Sequence, residues 1–427
     1  MLSREENELL TRTGPGTPMG QLMRRYWVPA LLAWEVAEPD GPPVRVSLLG
    51  ERLVGFRDSA GRLGLVQEHC PHRGASLYFG RNEECGLRCV YHGWKFDVDG
   101  RCVDMPSEPE ESTFKDRVRL RAYPCVERGG VVWTYMGPPE LQPPLPELEW
   151  ALLPEPQRYV SKRLQECNWL QAMEGGIDSS HISFLHRALQ LDDSNRLPNS
   201  QGQEYVRRDR HPRFEVHDVD YGLLIAARRT VDDAHYYWRI TPWLMPWYTI
   251  IPPFGDNPIG GHAWVPYDDE HCWAWSIDWH PARPLSETEL ANYRQGLGIH
   301  SALIPGTFRP VANQANDYLI DREAQRTRTM TGIVGISAQD CAVQESMGPI
   351  YDRTTEHLGT SDAAIIAARR RLLQAVRGLA RGEAPPGLDA ASQRVRSASL
   401  VLPKGVPFHE GARDALVARP ESYVASA

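Results

Sequence analysis

The chain has 427 residues, enough for one large or two medium hydrophobic cores, so two domains are expected. Its 47 basic and 55 acidic residues give a net charge of -8, which argues against a surface that binds nucleic acid or an anionic membrane. Neither an apolar span of roughly 20 residues nor a basic-then-apolar N-terminus is present, so we expect a cytoplasmic protein. Eight scattered cysteines are too few for a disulfide scaffold.

The first 140 residues predict a short arm followed by a β-rich domain. The arm, residues 1–39, is expected to pack on the second, larger domain, and its Thr17 is positioned to cap a short helix that has Pro18 at its first position. From Val44 onward, strand-like runs alternate with turn residues, and Asp99-Gly100 is a hairpin signal. Residues 40–140 are therefore predicted to form a small antiparallel β domain.

A proline-rich stretch separates this domain from the rest of the chain. Repeated prolines within residues 141–156 disfavour both helix and central strand, and thereby mark a connector. Residues 157–427 are predicted to form a second domain, rich in strands, with one helical insert over residues 167–188. Residues 361–382 repeat apolar side chains at helical spacing, which predicts an amphipathic helix: Ile365, Ala368, Leu372, Val376 and Leu379.

Residues 70–94 contain two pairs of potential metal ligands. Cys70 and His72 form a Cys-x-His pair, and Cys89 and His92 form a Cys-x-x-His pair that begins after sixteen intervening residues. One tetrahedral zinc could in principle use these four side chains, but zinc sites usually take two ligands of one type from a tight turn. A [2Fe-2S] cluster in which two His replace two Cys needs one Cys and one His from each loop. The mixed pairs favour such a cluster.

The helical insert carries a second group of potential ligands. Glu174, Asp178 and His181 are spaced four and three residues apart, which predicts one shared side of a helix. His186 lies five residues beyond His181, and an ideal helix would rotate it away by about 140°. The helix must therefore distort or end if both imidazoles bind one metal ion.

Both groups of residues resemble motifs of one protein family. Cys-Pro-His-Arg-Gly-Ala at 70–75 and Cys-Val-Tyr-His-Gly-Trp at 89–94 are similar to the cluster motif of the Rieske non-haem iron oxygenases. Asn168-Trp169, followed by the Glu, Asp and two His of the insert, is similar to the iron-binding motif of the same family. Residues 168–187 and 345–362 resemble the oxygenase components of phthalate dioxygenases in particular.

The resemblance implies a set of metal ligands. Cys70, His72, Cys89 and His92 would hold the [2Fe-2S] cluster, while His181 and His186 would bind a mononuclear iron. The third iron ligand would be a carboxylate, because two imidazoles and one carboxylate leave positions of Fe(II) open for dioxygen. The segment GISAQDCAVQESMGP supplies Asp340, with Glu345 and the later Asp352 as alternatives.

The resemblance also implies a role for Asp178 and an assembly. Asp178 would link the iron to the cluster of a neighbouring subunit, whereas Glu174 would either join that network or satisfy a neighbouring side chain. Family members form head-to-tail trimers, a closed heterologous arrangement, so a homotrimer or stacked trimers are expected. The implied fold is α+β: a small antiparallel β Rieske domain and a larger helix-on-antiparallel-sheet catalytic domain of the helix-grip, START-like kind.

The expected function is that of a terminal oxygenase. A reductase would supply electrons from a nicotinamide nucleotide through the cluster to Fe(II), and an aromatic carboxylate such as phthalate would be dihydroxylated with dioxygen. An O-demethylating or hydroxylating monooxygenase of the vanillate type is the alternative, and a pure electron carrier would not need the second domain. A carboxylate substrate favours Arg in the pocket. The candidates are Arg207 and Arg239, with Arg228 and Arg229 behind them.

Overall fold

The computed structural model describes residues 2–189 and 201–419, which belong to two compact units. The smaller unit is Thr13–Pro143, and the larger unit combines Met1–Arg12 with Pro144–Ala427. The predicted arm of residues 1–39 is thus shared between them. Helix α1 (Arg4–Thr11) belongs to the larger unit, whereas α2 (Pro18–Met23) and β1 (Trp27–Leu32) belong to the smaller.

The smaller unit consists of antiparallel sheets. Thr17 caps α2 as predicted, because its hydroxyl accepts a hydrogen bond from Gly20 N. After β1, the strands in chain order are β2 (Val44–Leu48), β3 (Glu51–Arg57), β4 (Leu63–Gln67), β5 (Arg81–Glu83), β6 (Gly86–Arg88), β7 (Lys95–Phe96), β8 (Cys102–Asp104), β9 (Ala122–Tyr123), β10 (Cys125–Arg128) and β11 (Val131–Tyr135). They pair in the orders β1-β11-β10, β2-β3-β4-β9 and β5-β6-β7-β8.

The larger unit is built on one antiparallel sheet. Its strands are β12 (Arg158–Gln165), β13 (Arg213–Val219), β14 (Gly222–Thr230), β15 (His235–Leu244), β16 (Tyr248–Ile251), β17 (Ile259–Pro266), β18 (Cys272–Trp279) and β19 (Ala398–Pro403). The strand order is β12-β18-β17-β16-β15-β14-β13, and β19 pairs with β15. Every residue of β17 and β18 is buried, so these strands lack the alternation of a half-exposed sheet.

Helices pack on this sheet. Beyond α1 and α2 they are α3 (Glu149–Leu152), α4 (Trp169–Ile177), α5 (Gly202–Arg208), α6 (Glu287–Arg294), α7 (Arg322–Thr327), α8 (Ile336–Glu345), α9 (Ala363–Ala380) and α10 (Phe408–Gly411). Helix α4 contacts β16 and β17, while α9 contacts β13 and β14. Helix α9 confirms the amphipathic helix, since Ala368, Leu372 and Val376 are buried. The predicted α+β class, with a helix-on-sheet larger unit, is confirmed.

The helical insert is shorter than predicted. Helix α4 ends at Ile177, Asp178 is extended, and only His181–Ser183 resumes a short 3₁₀ turn. The shared helix face of Glu174, Asp178 and His181 is therefore wrong. Glutamate 174 instead binds Arg353 at 3.1 Å and Arg369 at 2.6 Å, so it satisfies neighbouring side chains.

None of the helices within residues 2–189 and 201–419 combines the length and the apolar character needed for a membrane span.

Candidate metal centres

Two similar loops of the smaller unit present the first group of ligands. Gly74 N donates to Cys70 O at 2.9 Å, and Gly93 N donates to Cys89 O at 3.0 Å. Both glycines have positive φ, 75° and 78°, which lets each loop turn back on its cysteine. The two cysteines are buried in the core of this unit, and the rings of His72 and His92 lie 4.3 Å apart.

These four side chains fit a two-iron cluster better than a single ion. Tetrahedral zinc would hold donor atoms about 3.4–3.8 Å apart. No three of the four residues, all within the described part of the chain, bring ligand atoms within 4.8 Å of one another. His72 Nδ1 is buried and has no hydrogen-bond partner among the described residues, so a metal would satisfy its lone pair. Burial raises the pKa of the Cys70 thiol to about 11, which a bound metal would reverse.

The second group comes together in the larger unit. His181 Nε2 lies 3.0 Å from His186 Nε2, and Asp340 Oδ1 lies 3.3 Å from His186 Nε2 and 3.9 Å from His181 Nε2. Ligands about 2.1 Å from an ion and at right angles are about 3.0 Å apart, so this spacing fits one metal ion. Two imidazoles and one carboxylate form the set that non-haem Fe(II) uses for oxygen chemistry.

The alternative carboxylates lie elsewhere. Glu345 accepts hydrogen bonds from the Tyr318 hydroxyl and from Glu166 N. Asp352 is exposed, and its carboxylate accepts from Thr354 N and Thr354 Oγ1. Of the three candidates, the structure brings only Asp340 to the two histidines.

Comparison with known proteins identifies the family. Residues 26–124 match the family model of the Rieske [2Fe-2S] domain, and residues 134–418 match the model described as LigXa C-terminal domain like. The chain belongs to the Rieske non-haem iron oxygenases. It is thus an oxidoreductase subunit, and the cofactors of its family are the [2Fe-2S] cluster and a mononuclear iron.

Two curated oxygenase subunits are similar over nearly the whole chain. The 3-chlorobenzoate-3,4-dioxygenase oxygenase subunit of Comamonas testosteroni is 42% identical, and the alignment covers 96% of this chain and 97% of the relative. The phthalate 4,5-dioxygenase oxygenase subunit of Pseudomonas putida is 40% identical, with coverage of 96% and 94%. Dicamba monooxygenase bound to 3,6-dichlorosalicylic acid shares the fold at a TM-score of 0.58 and 18% identity, over 84% of this chain and 99% of that structure.

Both imidazoles of the oxygenase are oriented through their second nitrogen. Asp178 Oδ2 lies 3.4 Å from His181 Nδ1, which leaves His181 Nε2 for the metal. Burial acts to lower the pKa of His181, but the carboxylates of Asp178 and Asp340 together raise it. For Asp340, burial acts to raise the pKa, and His186 and His181 reverse the direction.

Gln339 orients the other imidazole, and the sequence did not reveal it. Gln339 Nε2 donates to Ile333 O at 2.8 Å, which turns its Oε1 toward His186 Nδ1 at 2.7 Å. The Nδ1 atom must then carry the proton, so Nε2 presents its lone pair beside Asp340. Its position next to Asp340 was the one available signal, because a glutamine by itself does not indicate a metal site.

A cavity of about 540 Å³, a size typical of small-molecule sites, opens beside the three candidate metal ligands of the larger unit. It is lined by Asp178, His181, His186 and Asp340, and by two of the predicted arginines, Arg207 and Arg239. Residues 190–200 lie outside the described part of the chain.

The four candidate arginines separate into two pairs. Arg207 and Arg239 line the cavity. Arg228 instead lies over the Tyr236 ring and 3.9 Å from Glu215. Arg229 donates to Ser179 O at 2.7 Å and to Asp209 O at 3.1 Å, so it supports the segment that leads to His181. Neither Arg228 nor Arg229 lines the cavity.

Removal of the Gln339 carbonyl should weaken iron binding. We expect Gln339→Leu to lower the affinity for the mononuclear Fe(II) roughly 10- to 100-fold, since His186 loses the acceptor that fixes its tautomer. Iron retained against a graded chelator is the measurement, with the Rieske absorbance as an internal standard. Gln339→Glu keeps an acceptor and is the matched control, and Asp340→Ala gives the reference for complete loss. Iron binding by Gln339→Leu at the wild-type level would contradict this role.

Proposed function

We propose that this oxygenase dihydroxylates the ring of an aromatic carboxylate such as phthalate. Two similar oxygenase subunits are named for 3-chlorobenzoate and phthalate, and both of those molecules are aromatic carboxylates. Arg207 and Arg239 on the cavity wall offer the positive charge that a carboxylate substrate needs. One observation carries the proposal: two buried nitrogen atoms of Arg239 have no hydrogen-bond partner among the described residues.

Arg239 is a buried cation with donors to spare. Its side chain is 5% exposed and lies 4.2 Å over the Phe254 ring, and its Nη2 donates to Pro252 O at 2.8 Å. The Nε and Nη1 atoms are buried and have no hydrogen-bond partner among the described residues. Unpaired buried N–H groups are costly, and a planar guanidinium matches a carboxylate through two parallel hydrogen bonds. A substrate carboxylate would satisfy one of these two atoms, because Nε–H and Nη1–H do not point in the same direction.

The proposal assigns a role to each group of metal ligands and to the two arginines of the cavity. His181, His186 and Asp340 hold the iron, and Cys70, His72, Cys89 and His92 hold the cluster. When bound, the iron supplies positions for dioxygen, and the cluster supplies electrons from a nicotinamide-dependent reductase. Arg239 fixes the carboxylate inside the cavity, and Arg207 provides a second positive charge on its wall. The substrate ring is thereby held in one orientation beside the metal donors.

O-demethylation is the second candidate. The 5,5'-dehydrodivanillate O-demethylase oxygenase subunit of Sphingobium sp. is 34% identical over 91% of this chain and 84% of the relative. Both reactions use the same metals and differ in which substrate atoms face them. The product therefore decides between the two.

Isotope labelling tests the proposed reaction. The holoenzyme is incubated with a reductase, NADH and ¹⁸O₂, and with phthalate, 3-chlorobenzoate and 3-methoxybenzoate in separate reactions. We expect a cis-dihydrodiol carrying two ¹⁸O atoms from one of the first two substrates, because both oxygen atoms enter the ring. Formaldehyde from 3-methoxybenzoate, without a labelled diol from any substrate, would favour the demethylase instead. Mass spectrometry of the products distinguishes the outcomes.

Replacement of Arg239 should weaken substrate binding. A hydrogen bond to a charged group contributes about 1.5–3 kcal/mol, so Arg239→Met should raise the Kd for phthalate roughly 10- to 100-fold. Calorimetric titration of the anaerobic enzyme gives the Kd. Arg228→Met is the matched control, since Arg228 lies on the neighbouring strand but does not line the cavity. Equal affinities in wild type and Arg239→Met would remove Arg239 from the site.

We also propose that Asp178 passes electrons from the cluster of a neighbouring subunit, in a homotrimer or stacked trimers. Its place beside His181 supports this role, because the 3.4 Å contact connects the carboxylate directly to an iron ligand in the proposal. Its Oδ1 accepts from Ser180 N at 2.6 Å, which fixes its orientation.

The electron-transfer role of Asp178 predicts a specific defect. Asp178→Asn should keep both metal centres but slow the substrate-dependent reoxidation of the reduced cluster roughly 100-fold, as expected when a positioning contact is lost. Stopped-flow absorbance of the cluster measures the rate. Asp232→Asn is a control with the same Asp-to-His spacing on an exposed loop, where Asp232 contacts His235 at 3.0 Å. Reoxidation at the wild-type rate in Asp178→Asn would defeat the proposal.

A further inference from the structure

His262 is a buried histidine that lines the cavity, and it forms no hydrogen bond with His181, His186 or Asp340. It lies on β17, is 6% exposed, and lines the cavity together with Trp264 two residues later on the same strand face. Its Nδ1 lies 3.1 Å from Trp275 O, a carbonyl that can only accept. The Nδ1 atom therefore carries the proton, and Nε2 presents a lone pair.

Neighbouring groups fix this tautomer. Ser276 Oγ is 3.3 Å from His262 Nδ1 and donates its own proton to Ile299 O at 2.9 Å, so toward the imidazole it acts as an acceptor. Burial, followed by the positive charge of Arg163, lowers the pKa of His262 to about 3. The imidazole is thus neutral at physiological pH, and no described residue forms a hydrogen bond with its Nε2.

The chemistry of the cavity wall shows what this lone pair lacks. Arg163, whose charge acts on His262, and Arg239, which lines the same cavity, are donors only. Arg163 donates to Ser276 Oγ and Gln165 Oε1, each at 3.3 Å, so its N–H groups are directed toward the protein. Arg239 suits a carboxylate, which is an acceptor and cannot pair with His262 Nε2. A donor brought by the ligand would satisfy this lone pair.

We propose that His262 Nε2 accepts a hydrogen bond from a hydroxyl group of the substrate, so that the preferred substrates are aromatic carboxylates that also carry a ring hydroxyl. This inference rests on the proposed function, because Arg239 binds the carboxylate of the same molecule. His262 is then a residue that determines specificity. Neither metal ligation nor proton transfer is assigned to it.

A ligand series that varies the donor tests the inference. The anaerobic holoenzyme is titrated calorimetrically with benzoate, the three hydroxybenzoate isomers and the three methoxybenzoate isomers. A methoxy group keeps the oxygen but cannot donate. One net hydrogen bond corresponds to a few-fold in affinity, so at least one hydroxybenzoate should bind on the order of 3- to 10-fold more tightly than its methoxy counterpart.

Variants assign that preference to His262. His262→Phe has a similar volume without an acceptor, and should bring the hydroxy-to-methoxy affinity ratio close to one. His262→Gln offers a carbonyl acceptor and should retain part of the preference. His280→Phe is the matched control, because His280 is a buried histidine that does not line the cavity, and its ratio should equal that of wild type. Rieske absorbance and iron content report whether each variant is folded.

The outcomes separate this inference from the proposed function. If benzoates bind but no hydroxyl improves affinity, or if the ratio persists in His262→Phe, the role of His262 is overturned while the carboxylate substrate stands. If no benzoate in the series binds, the role of His262 is overturned, and phthalate titrated under the same conditions tests the proposed function on its own. Should His262→Phe fail to fold, His262→Leu takes its place, and an unchanged ratio in that variant or a wild-type ratio near one would each overturn the inference.

Discussion

The end of helix α4 at Ile177 is the constraint on which the iron site depends. Buried Arg353 and Arg369 hold Glu174 in the last turn, and Asn168 caps the start of the helix. A Cβ on Gly176 would lie 2.2 Å from the buried Trp264 ring, so glycine suits this close approach, whereas a Cβ on Gly175 would lie 2.3 Å from the movable end of Gln344. Because the helix stops there, two histidines five residues apart bring their Nε2 atoms within 3.0 Å.

The sequence allowed the ligands to be predicted better than their surroundings. Cys-x-His and Cys-x-x-His are local patterns whose spacing carries the chemistry, and the apolar period of α9 is equally local. The packing of the last turn of α4 is different, since Gly175 and Gly176 lie against Gln344 and Trp264, which are far along the chain. The same is true of Gln339, whose role depends on Ile333 O and on His186, 153 residues away. Long-range packing, rather than residue type, determines these features.

Buried arginines show how structural and functional cations differ in this protein. Arg353 and Arg369 are buried against Glu174, and Arg369 also binds Glu356, so their charge is compensated within the fold. Arg229 has carbonyl partners, and burial, with Arg239 next, lowers its pKa to about 10. Arg239 has neither a carboxylate nor a full set of carbonyls among the described residues. An incompletely compensated cation is tolerated where a ligand completes it.

The neutrality of His262 follows from the same electrostatics that suit the cavity to an anion. Burial disfavours a charged imidazole, and the nearby guanidinium of Arg163 disfavours it further. A protonated His262 would offer the substrate another donor and would attract any anion without discrimination. A neutral His262 instead presents a lone pair that needs a hydrogen-bond donor, and a carboxylate alone cannot donate. Under the proposed function, the cations that favour an acid also keep His262 a neutral acceptor, which would distinguish among acids.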